Sequence, residues 1–175
     1  RRRIERIAFV VRGCLDAVHA SQAVVEGLLL GSFGDRRWKT KSYDESCSYL
    51  SEAQVVVAPG TGPVDQAVEK GRVLAISTNI ARALANEPSN MLTPTVFADR
   101  ATALVAETGI RTEILDESAI TELGMGLLLG VSRGSAEAPR VIVMRYEPDG
   151  AAEQPVLGLV GKGVTFDSGG ISIKP

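Results

Sequence analysis

Residues 4–31 read IERIAFVVRGCLDAVHASQAVVEGLLLG, a branched apolar run followed by one with helical spacing, and this succession decides the fold class. Ile4, Ile7, Phe9, Val10 and Val11 make 4–11 a strand, closed by Gly13. Leu15, Val18, Val25, Leu28 and Leu29 then recur at three- and four-residue steps and their sum, with Asp16 at the start and Gly31 at the end. That spacing predicts an amphipathic helix over 15–30.

The same alternation continues outward. Residues 32–52 are polar and without period, and Val55, Val56 and Val57 predict a short buried strand. The turn cluster PGTGP at 59–63 follows, with Pro63 suited to the first helical position. Val64, Ala67, Val68, Val73, Leu74, Ile80, Ala81 and Leu84 extend a helix from there to about Ala85, with Gly71 as its weak point. Pro88, between Asn86 and Asn90, stops it and marks a boundary. Thr93 and Pro94 then read as cap and first turn of a helix to Thr108, ended by Gly109. A strand is predicted at 111–115, a short helix capped by Asp116 as far as Leu123, and further strands at 127–131, 141–146 and 156–160. Strands alternating with helices predict an α/β protein with a mixed, partly parallel sheet.

Composition narrows the function classes. Nineteen basic and twenty-one acidic side chains leave a net charge of -2, too little for the field that holds nucleic acid or an anionic membrane. The apolar runs near Leu28 and Leu128 stop at glycine far short of a membrane span, so a soluble chain is expected. The basic start at Arg1 to Arg3 is followed by an apolar segment too short for a signal peptide, interrupted by Arg12. Cys14 and Cys47 lack zinc-ligand spacing and read as reduced thiols. The chain opens on Arg1 without Met and closes just after an alternating run, so a piece of a longer polypeptide is expected.

His19 is the single histidine and falls inside the first helix, where a structural role is the simpler one. A histidine-rich metal site is therefore excluded, and a metal here would need carboxylates helped by rarer donors. The acidic run Glu113, Asp116, Glu117 and Glu122 reads as a solvated face, Asp65 as a helix-face carboxylate, and Asp149 with Gly150 as a turn. The basic cluster from Arg1 to Arg6 reads as a solvated strand edge.

The segment richest in chemistry is 160–175, VGKGVTFDSGGISIKP, where Lys162, Asp167 and Lys174 are interleaved with glycines just past an apolar run. Glycines permit close backbone approach to a ligand, and parallel α/β sheets bind ligands beyond the ends of their strands. A phosphate loop does not fit, because only two residues separate Gly158 from Gly161 and Gly163 follows Lys162. Phe166 stands where the dinucleotide fingerprint needs its third glycine, and again where a nucleophile elbow at Ser168 needs its leading one. On residues alone, a glycine-rich loop with two solvated lysines remains an equal reading.

This contiguous run closely resembles the first metal-binding segment of the leucyl (cytosol) aminopeptidases, a family of two-metal exopeptidases. Residues 81–90, ARALANEPSN, and 122–126, ELGMG, are similar to the same family, so that the resemblance covers about 60–175. It implies that Lys162 is a metal ligand through its amine, that Asp167 is a carboxylate ligand shared by two metals, and that Lys174 is catalytic. Lys174 and Asp167 are also implied to contact substrate. An ammonium has no lone pair, so a ligating lysine must be neutral, and a neighbouring dication drives loss of its proton. Lys174 must instead stay cationic, to polarise the scissile carbonyl. Lys162, Asp167 and Lys174 do not share one face of a straight strand, so Gly163, Gly169 and Gly170 are expected to bend the chain.

The resemblance further implies two divalent metal ions (Zn2+, Mn2+ or Mg2+), a metal-activated water, a bicarbonate base and peptide substrates with a free N-terminus, of leucine-type, hydrophobic preference. It also implies a homohexamer in the cytoplasm, while the near-neutral charge and the short apolar runs predict no nucleic-acid or membrane partner. The expected organisation is the remainder of an N-terminal α/β domain at 1–62, a linking helix at 63–86, and the first half of an α/β/α catalytic domain at 87–175. The family's further carboxylate ligands and its bicarbonate arginine match nothing in this chain, which by itself is expected to be inactive. The alternatives are a nucleotide- or phosphate-binding protein using Gly158 to Gly163, and an inactive assembly module.

Overall fold

A computed structural model describes residues 5–13, 15–34, 50–152 and 154–167. Cys14, Cys47, Gly169, Gly170 and Lys174 lie outside the described residues. The chain divides into two compact units, Arg1–Glu87 and Pro88–Pro175.

In the first unit, strand β1 (Arg6–Val10) leads through helix α1 (Ala17–Ser32) to strand β2 (Glu52–Val56), and helix α2 (Asp65–Ala85) follows. β1 and β2 pair in parallel, with Arg6 opposite Glu52 and Val10 opposite Val56. The pairing runs on at both ends, where Ser51 N donates to Glu5 O and Val11 N to Val56 O. α1 starts where the Asp16 carboxylate accepts from Val18 N and His19 N, satisfying two of the donors every helix leaves open at its start. It runs one residue past Gly31, so the glycine sits in the last turn and does not end the helix.

α2 lies beside α1 and runs the same way, because Gly71 meets Gln22 while Asn79 and Arg82 reach Leu29 and Leu30. Ala67, Gly71 and Ala75, four residues apart, form its buried stripe. Gly71 is thus a packing requirement rather than a weak point: a Cβ there would stand 2.7 Å from Gln22 O and 3.3 Å from Val25 Cβ. At the far end Asn79 Nδ2 donates to Leu29 O at 3.0 Å and Arg82 Nη1 to Leu30 O at 2.9 Å, which satisfies carbonyls left open at the end of α1. The Arg82 guanidinium also sits 4.2 Å from the centre of the Phe33 ring.

Two expectations are corrected here. Pro63 is not the first helical residue. The first helical bond, Val68 N to Val64 O, makes Val64 the cap and leaves Pro63 outside. The strand expected to be buried at 55–57 spans Glu52–Val56 and is covered on one face only. Val55 and Val57 are half-buried whereas Val56 is 41% exposed, the period-two pattern of a one-sided strand.

The second unit begins with a turn in which Pro88 O accepts from Met91 N and Leu92 N, and Leu92 is buried. Helix α3 (Pro94–Val105) follows, with Thr93 Oγ1 accepting from Val96 N and Pro94 in the first turn. Its buried residues Ala98, Ala101 and Val105 share one face, and the helix lies against β3 (Arg111–Leu115) and β4 (Val141–Arg145). These strands pair antiparallel, with Arg111 opposite Arg145 and Leu115 opposite Val141. The two arginines face each other in register, and each finds an acid: Arg111 pairs with Glu147 and Arg145 with Glu113. Between the strands come α4 (Glu117–Glu122) and α5 (Gly126–Ser132). Asp116 Oδ1 caps α4 by accepting from Ala119 N at 3.0 Å, and Ile120 is its fully buried anchor. Among the described residues each unit has its own two-stranded sheet, parallel in the first and antiparallel in the second, within the α/β class that the alternation predicts.

Residues 127–131 are a correction, being helical in α5 rather than a strand. Gly124, at φ +69°, turns the chain back so that Met125 N donates to Ile120 O, and Leu129 N then donates to Met125 O. A short apolar run carries no period of its own, so this preceding turn decides its conformation. The strand expected at 156–160 is also absent. That stretch has no ladder partner among the described residues, and Val160 is fully exposed.

Candidate metal centre

Two of the three residues singled out at 160–175 are described, and both stand on the irregular segment that follows 156–160. Lys162 and Asp167 are exposed, and the chain bends between them at Thr165. Lys174 lies outside the described residues. Among the described residues no three His, Cys, Asp or Glu side chains cluster closely enough to hold a metal. The donors on this loop therefore fit a divalent cation in kind, one carboxylate and one amine, and fall short of a full set in number.

Gly163 does not act as expected. Its backbone lies outside the left-handed region, unlike Gly60, Gly109, Gly124 and Gly150, so no special conformation bends the chain there. The absence of a side chain serves a close approach instead. A Cβ at Gly163 would stand 3.0 Å from Cε1 and 3.7 Å from Cδ1 of Phe97, in the first turns of α3. Phe97 is held in turn by its N–H, which donates to Thr93 O at 2.9 Å beside the Thr93 cap. Neither period nor motif marks Phe97 in the sequence. The signal that could have found it is the Thr93-Pro94 cap, which fixes the start of α3.

The remaining candidates are structural. His19 is exposed on α1, with Nδ1 3.2 Å from Asp16 Oδ2. The backbone N–H of His19 is the main reason the Asp16 carboxyl is held below its usual range, and the His19 side chain adds to it. Asp65 is the first residue of α2, and Asp149 with Gly150 lies in a turn closed by Ala151 N to Pro148 O. In the acidic run, Glu113 pairs with Arg145, Asp116 caps α4 and Glu122 accepts from Ser118 Oγ. No helix among the described residues is long and apolar enough to cross a membrane.

Residues 79–175 match the family described as "Cytosol aminopeptidase family, catalytic domain". The chain is 46% identical over 172 residues to the "Probable cytosol aminopeptidase" of Solibacter usitatus, covering 98% of this chain and 35% of that protein. It is 40% identical over 178 residues to the protein of the same description from Alkaliphilus metalliredigens, covering 99% and 35%. Among solved structures it is similar to the bottromycin maturation enzyme BotP in complex with Mn, at 37% identity and a TM-score of 0.80, over 99% of this chain and 35% of that one. A mutant of tomato leucine aminopeptidase gives 28% identity and a TM-score of 0.81, over 94% and 34%. The chain thus spans about a third of the length of the curated relatives it matches.

Proposed function

The chain belongs to the cytosol aminopeptidase family, and on that premise we propose that it carries the first metal-binding segment of an enzyme that removes residues from peptide N-termini. The observation that carries this reading is the contiguous run 160–175, which lies within the stretch matched by the family's catalytic domain and presents Lys162 and Asp167 on one exposed loop. In this reading 1–62 is the remainder of an N-terminal α/β domain, 63–86 a linking helix and 87–175 the start of the catalytic domain.

Lys162 would hold one cation through its neutral amine, and Asp167 would contribute a carboxylate to two. Divalent cations bound there supply Lewis acidity and bring the acidity of a water close to neutral pH. Mn2+ is favoured over Zn2+ or Mg2+ because the similar BotP structure contains Mn. Lys174, cationic, polarises the scissile carbonyl and stabilises the negative charge that develops on its oxygen. Asp167 and Lys174 would contact the substrate, and the peptide's free amino end would be received by a bound cation, which restricts cleavage to the first bond because internal bonds have no free amine. Bicarbonate as the base, a hydrophobic first residue, a homohexamer and a cytoplasmic setting complete the proposal.

The test uses the protein expressed from its whole open reading frame. Lys174→Ala is expected to lower kcat by about 100-fold or more while bound Mn2+ is retained. Lys162→Ala and Asp167→Ala are expected to lose both, and an N-acetylated peptide to resist cleavage. Normal turnover by the Lys174→Ala protein sinks the assignment. Phosphate binding that needs no metal would favour the alternative use of Gly158 to Gly163.

A further inference from the structure

We propose that Phe97 is a positioning residue that seats the loop carrying Lys162, through the space that Gly163 leaves open. The inference rests on the reading of Lys162 as a metal ligand and adds to it the element that holds that ligand in place.

Among the described residues, no backbone-to-backbone hydrogen bond joins 156–166 to the rest of the chain, and Val156, Leu157, Leu159 and Val160 are largely exposed. Against this open stretch the Phe97 ring edge comes so near Gly163 that a methyl there would stand 3.0 Å from Cε1, closer than side chains normally approach. Gly163 directly follows Lys162, so the ring bears on the backbone next to the amine. Phe97 itself is half-buried and sits on a helix whose start is fixed twice, by the Thr93 cap and by Pro94. The Lys162 backbone is thereby referred, through this contact, to a helix with a fixed start. A metal ligand needs such support, since residues that orient a ligand change metal affinity by about 10–100-fold when lost.

The contact makes a prediction that general destabilisation does not. Gly163→Ala thrusts a methyl into the ring and displaces the loop, while Phe97→Leu removes the ring edge and leaves room for that methyl. In the protein expressed from its whole open reading frame, titration with Mn2+ is expected to show about tenfold weaker binding for Gly163→Ala and a smaller loss for Phe97→Leu. The double variant is expected to bind within about threefold of Phe97→Leu, a coupling that separate effects would not produce. Thermal unfolding of each variant in EDTA is expected to stay close to that of the parent, separating loop placement from folding. If Gly163→Ala costs the same affinity in both backgrounds, the seat is refuted while the ligand reading stands. If Lys162→Ala binds Mn2+ as tightly as the parent, the ligand reading is refuted and the seat goes with it.

Discussion

Two glycines, one in each unit, are used for close approach, and what each one faces sets them apart. Gly71 on α2 faces the backbone of α1, with Gln22 O 2.7 Å from the place a Cβ would take. Gly163 faces the outer edge of a side chain, with Phe97 Cε1 at 3.0 Å. A helix backbone can give way only if the whole helix moves, whereas a ring meets its neighbour at one edge. The first contact therefore locks two helices together, and the second sets the position of a loop. A protein that must hold ligands on an exposed segment gains from this division, with rigidity in the scaffold and a fine adjustment beside the ligand.

The largest effect expected from breaking this contrast is at Gly71. Gly71→Val forces α2 off α1 and is expected to lower stability by about 3 kcal/mol, the upper range for overpacking, measured by denaturant unfolding with hydrogen exchange at α1 and α2. Gly71→Ala should cost less, because alanine recovers about 1 kcal/mol of helix propensity. A Gly71→Val protein as stable as its parent would show that the helices can separate freely, and the contrast would fail. Thr93→Ala sharpens the other side. Loss of its cap is expected to cost about 1 kcal/mol in α3 and, through Phe97, to weaken Mn2+ binding as well. A stability loss with unchanged metal affinity would mean that Phe97 keeps its place without the cap.

The smallest effect is at Asp16. Its carboxyl titrates below its ordinary value because the His19 and Val18 N–H groups favour the charged form. The folded pKa being the lower one, the contribution is present above the unfolded value, about 3.9 for aspartate, and is lost as pH falls through the folded value. Asp16→Asn should therefore flatten the acid limb of the stability curve while leaving stability near pH 7 little changed, since asparagine caps about as well. An unchanged acid limb would remove Asp16 from the account.

Most elements with a local start signal were legible. Asp16, Thr93 with Pro94, and Asp116 announce α1, α3 and α4 because each cap is a bond between residues two or three apart. The strand at 111–115 was legible from its alternation, and the run 160–175 carried the family. Other segments were not. Residues 127–131 had no period, and a turn at Gly124 made them helical. Residues 156–160 had a strand's composition, yet a strand exists only when another lies beside it. Lys162 and Asp167 could be named as candidate donors from the motif, but nothing near them pointed to Phe97, 65 positions before Lys162.

By itself, then, the sequence determined the α/β class, the caps that begin three of its helices and the family, and it named Lys162 and Asp167 as candidates for a metal. These depend on contacts within a turn or on a contiguous run of residues. Only the tertiary structure decided that Gly71 joins two helices, that Asn79 and Arg82 close the end of α1, that the apolar run after Gly124 is helical, and that Gly163 leaves room for Phe97. Each depends on atoms far apart in the chain coming into contact or on how the chain turns beforehand, which no local pattern specifies.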